Sequence, residues 1–179
     1  MMFKPRKDTK FSDYIFHGIF FLVYGIFKYF PPPIGNLLRY LILKIFVKKI
    51  LFSRIGEGVT IYYPYRLKIG SNVTLNEFIY ISAFGEIEIN KNTRIGAHTI
   101  IFSTDHEFKD LNIPIKDQGL VPGKVIIGEN VWIGANVTIL KGVKIGNNAI
   151  IGANSLINKD VPANSIVGGV PAKIIKHRE

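Results

Sequence analysis

From residue 127 onward an aliphatic side chain returns at every sixth position, at Ile127, Ile133, Ile139, Ile145, Ile151 and Ile157. A period of six fits neither the 3.6-residue turn of a helix nor the two-residue alternation of a simple strand. Three residues after these isoleucines stand Asn130, Asn136, Gly142, Asn148, Asn154 and Asp160, types that tolerate positive φ at a tight corner. One place further come Val131, Val137, Val143, Ala149, Ser155 and Val161, small or β-branched residues that pack just inside such a corner. Each unit reads as a short strand plus a turn, with one large aliphatic side chain pointing inward. The same phase runs upstream through Ile55, Ile61, Ile69, Leu75, Ile81, Ile87, Ile89, Ile95 and Ile101, interrupted by two-residue slips. The pattern predicts a parallel β-helix, whose coils stack at the strand spacing of ~4.8 Å and bury continuous aliphatic columns.

The first third of the chain follows another pattern. Tyr14 to Phe27 contains no charged residue but is only fourteen residues long, short of the ~20 needed to cross a bilayer. Pro31, Pro32 and Pro33 end this first helix. A second helix is expected from about Ile34 to Phe52, with Arg39, Lys44, Lys48 and Lys49 interrupting apolar residues around most of its circumference, so no clean amphipathic face can be drawn. The expected organisation is an N-terminal basic and hydrophobic helical segment over 1–53, a β-helix over 54–162 with a protruding loop at about 105–124, and a C-terminal tail over 163–179.

Composition sharpens this picture at two points. The chain has 179 residues, enough for one domain with a sizeable core, and no cysteine, so disulfides and thiolate chemistry are excluded. The net charge of +10 is uneven: ten basic residues against Asp8 and Asp13 before residue 55, but thirteen bases against eleven acids after it. That division, with no nucleic-acid-binding motif, argues against nucleic acid and for a local partner of the N-terminal segment. A signal peptide is the rival reading of the basic start and apolar run, but no small-residue cleavage site follows it. The segment is either a helical cap or an interfacial anchor with its lysines near anionic headgroups, and the clustering of charge favours the anchor.

The run "IGENVWIGANVTILKGVKIGNNAIIGANSLINKDVPANSIVGGVPAKIIK" resembles the hexapeptide-repeat acyltransferases, in particular the coenzyme A-dependent sugar and polysaccharide O-acetyltransferases. The resemblance covers about residues 55–176, and its densest parts are Val-Trp-Ile-Gly, Asn-Lys-Asp-Val-Pro and Gly-Val-Pro-Ala-Lys. It implies a mainly β fold, a left-handed parallel β-helix with three hexapeptides per coil, where the general rule for parallel crossovers would give a right-handed one. It also implies a homotrimer with active sites between subunits.

His106 lies in "FSTDHEFKD", immediately before an inward position of the repeat and before its one long interruption, Glu107 to Lys124. Strand alternation points it outward, in the same phase as Trp132, and a long loop in a compact repeat is usually functional. The family's catalytic histidine falls at this place. As general base, His106 would take the proton of an attacking hydroxyl and return it to the departing thiolate; Asp105 or Glu107 could orient the ring, though neighbours on a strand tend to face opposite ways. The plain alternative is a solvated histidine at a loop edge.

For acetyl-CoA, the resemblance implies a groove between subunits. Trp132 would border the acetyl end, Ala135 and Ala153 would let the pantetheine arm lie close to the backbone, and Asn158 and Lys159 would line the groove further on. Lys173 and Lys176 would meet the phosphates, and a backbone N–H at Ala135 would serve as oxyanion donor. Lysine at 173, where arginine is common, makes phosphate contact less directional. The alternatives are a solvated basic tail and, for Trp132, a plain interface anchor.

The acceptor site departs from the galactoside and maltose enzymes: the stretch "NEFIYISAFGEIEI" is shorter, with Ser82 or Asn76 as substitutes for the family's asparagine and aspartate. The loop "HEFKDLNIPIKDQG" looks more like the polysaccharide-modifying members. The expected acceptor is therefore a glycan, the sugar hydroxyl of a surface polysaccharide or its lipid-linked precursor, met on the cytoplasmic face of the membrane. Alternatives are a small soluble acceptor (free sugar, serine or antibiotic), or a non-acyltransferase scaffold or zinc protein. No metal is expected, because only His98 and His106 fall within the coils and His98 takes a corner position.

Overall fold

The computed structural model describes residues 11–179 and is built around the expected coil. Short parallel strands stack into three flat faces. The first holds Lys49–Ile50, Leu67–Ile69, Ile87–Ile89, Val125–Ile127 and Lys144–Ile145. The second holds Arg54–Ile55, Thr74–Leu75, Arg94–Ile95, Trp132–Ile133, Ile150–Ile151 and Ser165–Gly169. The third holds Thr60–Tyr62, Tyr80–Ser82, Ile100–Phe102, Thr138–Ile139 and Leu156–Ile157. One strand from each face makes a coil, so five coils are complete and a sixth is begun.

Register explains the core. Ile55, Leu75, Ile95, Ile133, Ile151 and Val167 stand directly over one another on the second face, and none is more than 3% exposed. The two-residue slips have a local cause: strands Leu67–Ile69, Ile87–Ile89 and Val125–Ile127 turn both of their end residues inward. Corners fall where expected at Asn130, Asn136, Gly142, Asn148 and Asn154, all with positive φ. Their side chains form ladders, with Asn130 Nδ2 donating to Asn148 Oδ1 (2.8 Å) and Asn136 Nδ2 to Asn154 Oδ1 (2.7 Å). His98 is such a corner too, at φ 58°, its ring stacked on Phe78 at 5.3 Å. Asp160 departs from the pattern: Asn164 takes the positive φ, and the Asp160 carboxylate accepts the Lys144 N–H at 2.8 Å.

Before the coils come helices α1 (Phe11–Phe27) and α2 (Ile34–Phe46). The second ends short of the expected Phe52, because Val47 turns extended and Lys49–Ile50 joins the first face beside Lys68–Ile69. The helices cap the first coil, with Phe20, Tyr24, Ile42 and Leu43 continuing the aliphatic core. His17 pins α1 down: its Nδ1 donates to the Asp13 carbonyl and its Nε2 accepts the Tyr63 N–H, each at 2.8 Å. Arg39, one of the basic residues interrupting the apolar run of the second helix, is fully buried. Its guanidinium donates to the carbonyls of Phe30 (2.8 Å), Ile55 (3.0 Å), Phe27 (3.2 Å) and Lys28 (3.3 Å) and to Asn36 Oδ1 (2.7 Å). A buried face made of Gly35, Arg39, Ile42 and Leu43 is why no amphipathic stripe could be read from α2. The opposite faces stay apolar and uncovered, at Ile15, Ile19, Leu22 and Ile26 of α1 and Leu37, Leu41 and Ile45 of α2. Among the described residues no helix is long and apolar enough to cross a membrane. Residues expected as a tail instead form a hairpin, Ala172–His177 running antiparallel to Ser165–Gly169.

Candidate active site

The coil is interrupted once, after the third strand of the third face. Buried Ser103 fixes the exit: its Oγ donates to the Ser82 carbonyl and accepts the Gly85 N–H, both at 2.8 Å, while its own carbonyl accepts the Gly123 N–H at 2.8 Å. From there Thr104–His106 and Leu120–Pro122 form an antiparallel ribbon with His106 opposite Leu120. The loop beyond is ordered by its own polar groups. Glu107 accepts the N–H groups of Phe108 (3.0 Å) and Lys109 (3.2 Å), and Gln118 bonds both backbone groups of Asp110 and the carbonyl of Ile113. Its apolar side chains, Phe108, Leu111, Ile113 and Ile115, point into solvent.

His106 is exposed, and its ring makes no hydrogen bond among the described residues. Neither adjacent carboxylate orients it. Asp105 lies 3.9 Å from Lys141 Nζ, and Glu107 is engaged in the loop. Ser82 sits under Phe102 on the third face and is only 8% exposed, so its hydroxyl has little access from outside this chain.

Trp132 is on another side of the prism. It opens the second face on the fourth coil, 59% exposed, between Arg94 on the coil below and Ile150 on the coil above. Ala135 and Ala153 follow at the next corner on successive coils, joined by the Asn154 N–H to Ala135 carbonyl bond at 3.0 Å. Gly134 keeps that corner tight, since a Cβ there would stand 2.6 Å from the Ala153 nitrogen. The Ala135 N–H donates to no acceptor among the described residues. Lys176 lies beside Ile166, which stands over Ile150, so Trp132 and Lys176 are three strand spacings apart, about 14 Å. Lys173 is on the same strand.

Asn158 and Lys159 end the third face on the fifth coil, two coils above the ribbon that carries His106 and on the same edge. The candidate residues thus fall into two groups. One edge carries His106, Asn158 and Lys159 with Ser82, Asp105 and Glu107. The other flank carries Trp132, Ala135, Ala153, Lys173 and Lys176. Within one chain the third face lies between the Ala135 and Ala153 corner and the His106 edge, and the round is closed on the other side by the first face. That face is lined by exposed ion pairs, Lys68 and Lys124 with Glu88 and Lys91 with Glu129, and burial of Glu88 is outweighed by its hydrogen bond to Lys124, which holds its carboxyl below the usual glutamate range. The third face is different: its outward residues Tyr80, Ile100, Phe102, Thr138, Leu140 and Leu156 carry no charge and are half-buried.

Sequence reasoning passed over Arg94 and Lys141. Arg94 was legible in principle, since it precedes Ile95 as Trp132 precedes Ile133, but the ribbon and loop between them hid the register. Among the described residues no group of three or more histidines, cysteines or carboxylates could hold a metal ion.

Residues 124–159 match the family model described as bacterial transferase hexapeptide (six repeats). An inferred lipopolysaccharide-biosynthesis O-acetyltransferase of Escherichia coli, WbbJ, is 40% identical over 130 residues, 68% of this chain and 62% of its own length. An inferred acetyltransferase of Dictyostelium discoideum is 38% identical over 138 residues, covering 73% of this chain and 70% of that protein. The aligned stretch can be a smaller share of a relative, as little as 38% of an inferred Mycobacterium tuberculosis acetyltransferase. Among solved structures, a galactoside acetyltransferase in complex with coenzyme A superposes with a TM-score of 0.82 at 26% identity, over 97% of this chain and 86% of that one.

Proposed function

Because the chain belongs to the hexapeptide-repeat acyltransferases, whose left-handed parallel β-helix its coils match, we propose that it transfers an acetyl group from acetyl-CoA to a sugar hydroxyl. The observation that carries this reading is the division of the candidate residues into two flanks that one chain keeps apart. Two chains side by side supply one groove: His106, Asn158 and Lys159 from one, Trp132, Ala135, Ala153, Lys173 and Lys176 from its neighbour. Three such contacts close a ring, and the uncharged third face suits burial in a trimer better than the salt-bridged first face.

In the groove the pantetheine arm lies along the Ala135 and Ala153 corner, where small side chains let it approach the backbone. Lys173 and Lys176 meet the phosphates, Lys176 three strand spacings from Trp132 at the thioester end. His106 Nε2 or Nδ1 removes the acceptor hydroxyl proton as that oxygen attacks the thioester carbonyl carbon, and the Ala135 N–H donates to the developing oxyanion. Collapse breaks the carbon–sulfur bond. The proton held on His106 passes to the thiolate, leaving an acetyl ester and free CoA.

The acceptor we infer is the glycan of a surface polysaccharide or its lipid-linked precursor. The 40% identity to a lipopolysaccharide-biosynthesis O-acetyltransferase supports it, as do the exposed apolar faces of α1 and α2, which suit a membrane surface on the cytoplasmic side. His106→Ala tests the reaction. The variant should lose at least ~10²-fold in acetyl transfer, measured by CoA release, while keeping trimer mass by light scattering and CoA affinity by calorimetry. Turnover equal to the unmodified protein removes His106 from the mechanism.

A further inference from the structure

Among the described residues Arg94 is a charged group without a counterpart. It projects from the second face one coil below Trp132, about 4.8 Å away by register. It is exposed, and its guanidinium makes no hydrogen bond or ion pair among the described residues. The other arginine in this column, Arg54, is different: it pairs with Glu77 at 3.7 Å.

Given acetyl transfer, the reading on which the role of Arg94 rests, direction matters. The residues assigned to acetyl-CoA occupy the second face from Trp132 toward Lys176, on the fourth coil and above. A hydroxyl that reaches the thioester must then arrive from the side of the lower coils, and the first side chain it passes on this flank is Arg94. Beside Arg94 on the same coil stands the exposed corner residue His98, and that coil presents no carboxylate on the second face. The acids nearby are all engaged. Glu77 pairs with Arg54 at 3.7 Å and Glu129 with Lys91 at 3.3 Å.

We propose that Arg94 binds an anionic group on the acceptor, one sugar unit or less from the hydroxyl that is acetylated. A planar guanidinium with both edges free matches a carboxylate or a phosphate in bidentate fashion. The anion is either the carboxylate of a uronic-type sugar or the phosphate that links a sugar to its carrier. A wholly neutral acceptor would leave Arg94 without a function at the mouth of the groove.

The test compares a hexose, the matching hexuronic acid and the hexose 1-phosphate as acceptors, by CoA release at low and high salt. The expected result is a kcat/KM for one of the two anions roughly 10- to 100-fold above the neutral sugar. That preference collapses in Arg94→Ala, survives in part in Arg94→Lys, and weakens with salt; which anion is preferred separates the two sources. Equal use of all three acceptors overturns the proposal, as does an Arg94→Ala variant whose losses are the same on neutral and anionic sugars or that dissociates the oligomer. If none of the three is acetylated, calorimetry on the CoA-loaded protein decides: absence of Arg94-dependent binding of both anions also overturns it. Failure of the unmodified protein to bind CoA at all counts against the catalytic reading instead.

Discussion

Charging the outer stripe of α1 should abolish membrane binding while sparing the fold. Leu22 and Ile26 are 72% and 69% exposed, so Leu22→Glu with Ile26→Glu removes little that the folded chain buries. Full burial of a Leu or Ile side chain is worth about 1.5–3 kcal/mol, so each of these would gain roughly 1–2 kcal/mol on entering the headgroup and acyl boundary. Each glutamate also meets anionic lipid with a penalty on the order of 1 kcal/mol. The pair should therefore lose about 4 kcal/mol or more, a drop in partitioning well beyond ~100-fold. The electrostatic share of binding is smaller than the net charge suggests. Within 11–54, Arg39 is buried, Lys48 pairs with Glu86 and Arg54 with Glu77, which leaves Lys28, Lys44 and Lys49, the first still charged although it donates to the neutral Thr60 Oγ1. These three contribute about 3 kcal/mol, and Lys4, Arg6, Lys7 and Lys10, outside the described residues, add to them, so high salt should weaken binding by at least roughly 100-fold and not eliminate it. The assay is cosedimentation with phosphatidylserine-containing vesicles at two salt concentrations, with circular dichroism and light scattering as controls. If the protein does not sediment with vesicles, or the double variant sediments equally, the membrane argument fails; if the variant changes oligomeric mass, the stripe is a contact between copies of the chain.

Other tests concern the cap. Arg39→Met withdraws one charge and all of its donors from buried carbonyls, and should cost about 3–5 kcal/mol by chemical denaturation, with hydrogen exchange accelerated first in α1 and α2; a loss below ~1 kcal/mol would mean that water replaces the guanidinium. Burial raises the Tyr24 hydroxyl pKa above the usual tyrosine range, although Arg39 opposes this, and the hydroxyl has no hydrogen-bond partner among the described residues. Because the folded value is the higher one, this contribution to stability is complete below about pH 10 and drains away as pH rises above it. Tyr24→Phe should flatten that alkaline decline without loss at neutral pH, and an unchanged decline would assign it to other groups.

Much of this fold is written in single positions. An inward isoleucine every six residues, with Asn or Gly three later, locates strands and corners because the interior of each coil admits one large aliphatic per face and each corner requires positive φ. The interruption that begins beside His106 was legible because the rhythm stops there. What escaped was decided by contacts distant in sequence. Arg39 looks like surface charge until the carbonyls of Phe27, Lys28, Phe30 and Ile55 surround it. The helix expected to reach Phe52 stops at Phe46 because Lys49–Ile50 finds a parallel partner in Lys68–Ile69. The orienting group for His106 was sought next to it in sequence, whereas Asp105 and Glu107 are both occupied elsewhere.

A stack of parallel coils has two ends, and each end is a row of unpaired peptide groups able to template another chain. Here α1 and α2 sit across the first end, while at the other the chain reverses and lays Ala172–His177 antiparallel along the second face. Reversal breaks the hydrogen-bonding direction that a further parallel coil would need. Lengthwise growth into a fibre is thereby disfavoured at both ends, which leaves flank-to-flank association, the direction that the proposed groove between copies would use.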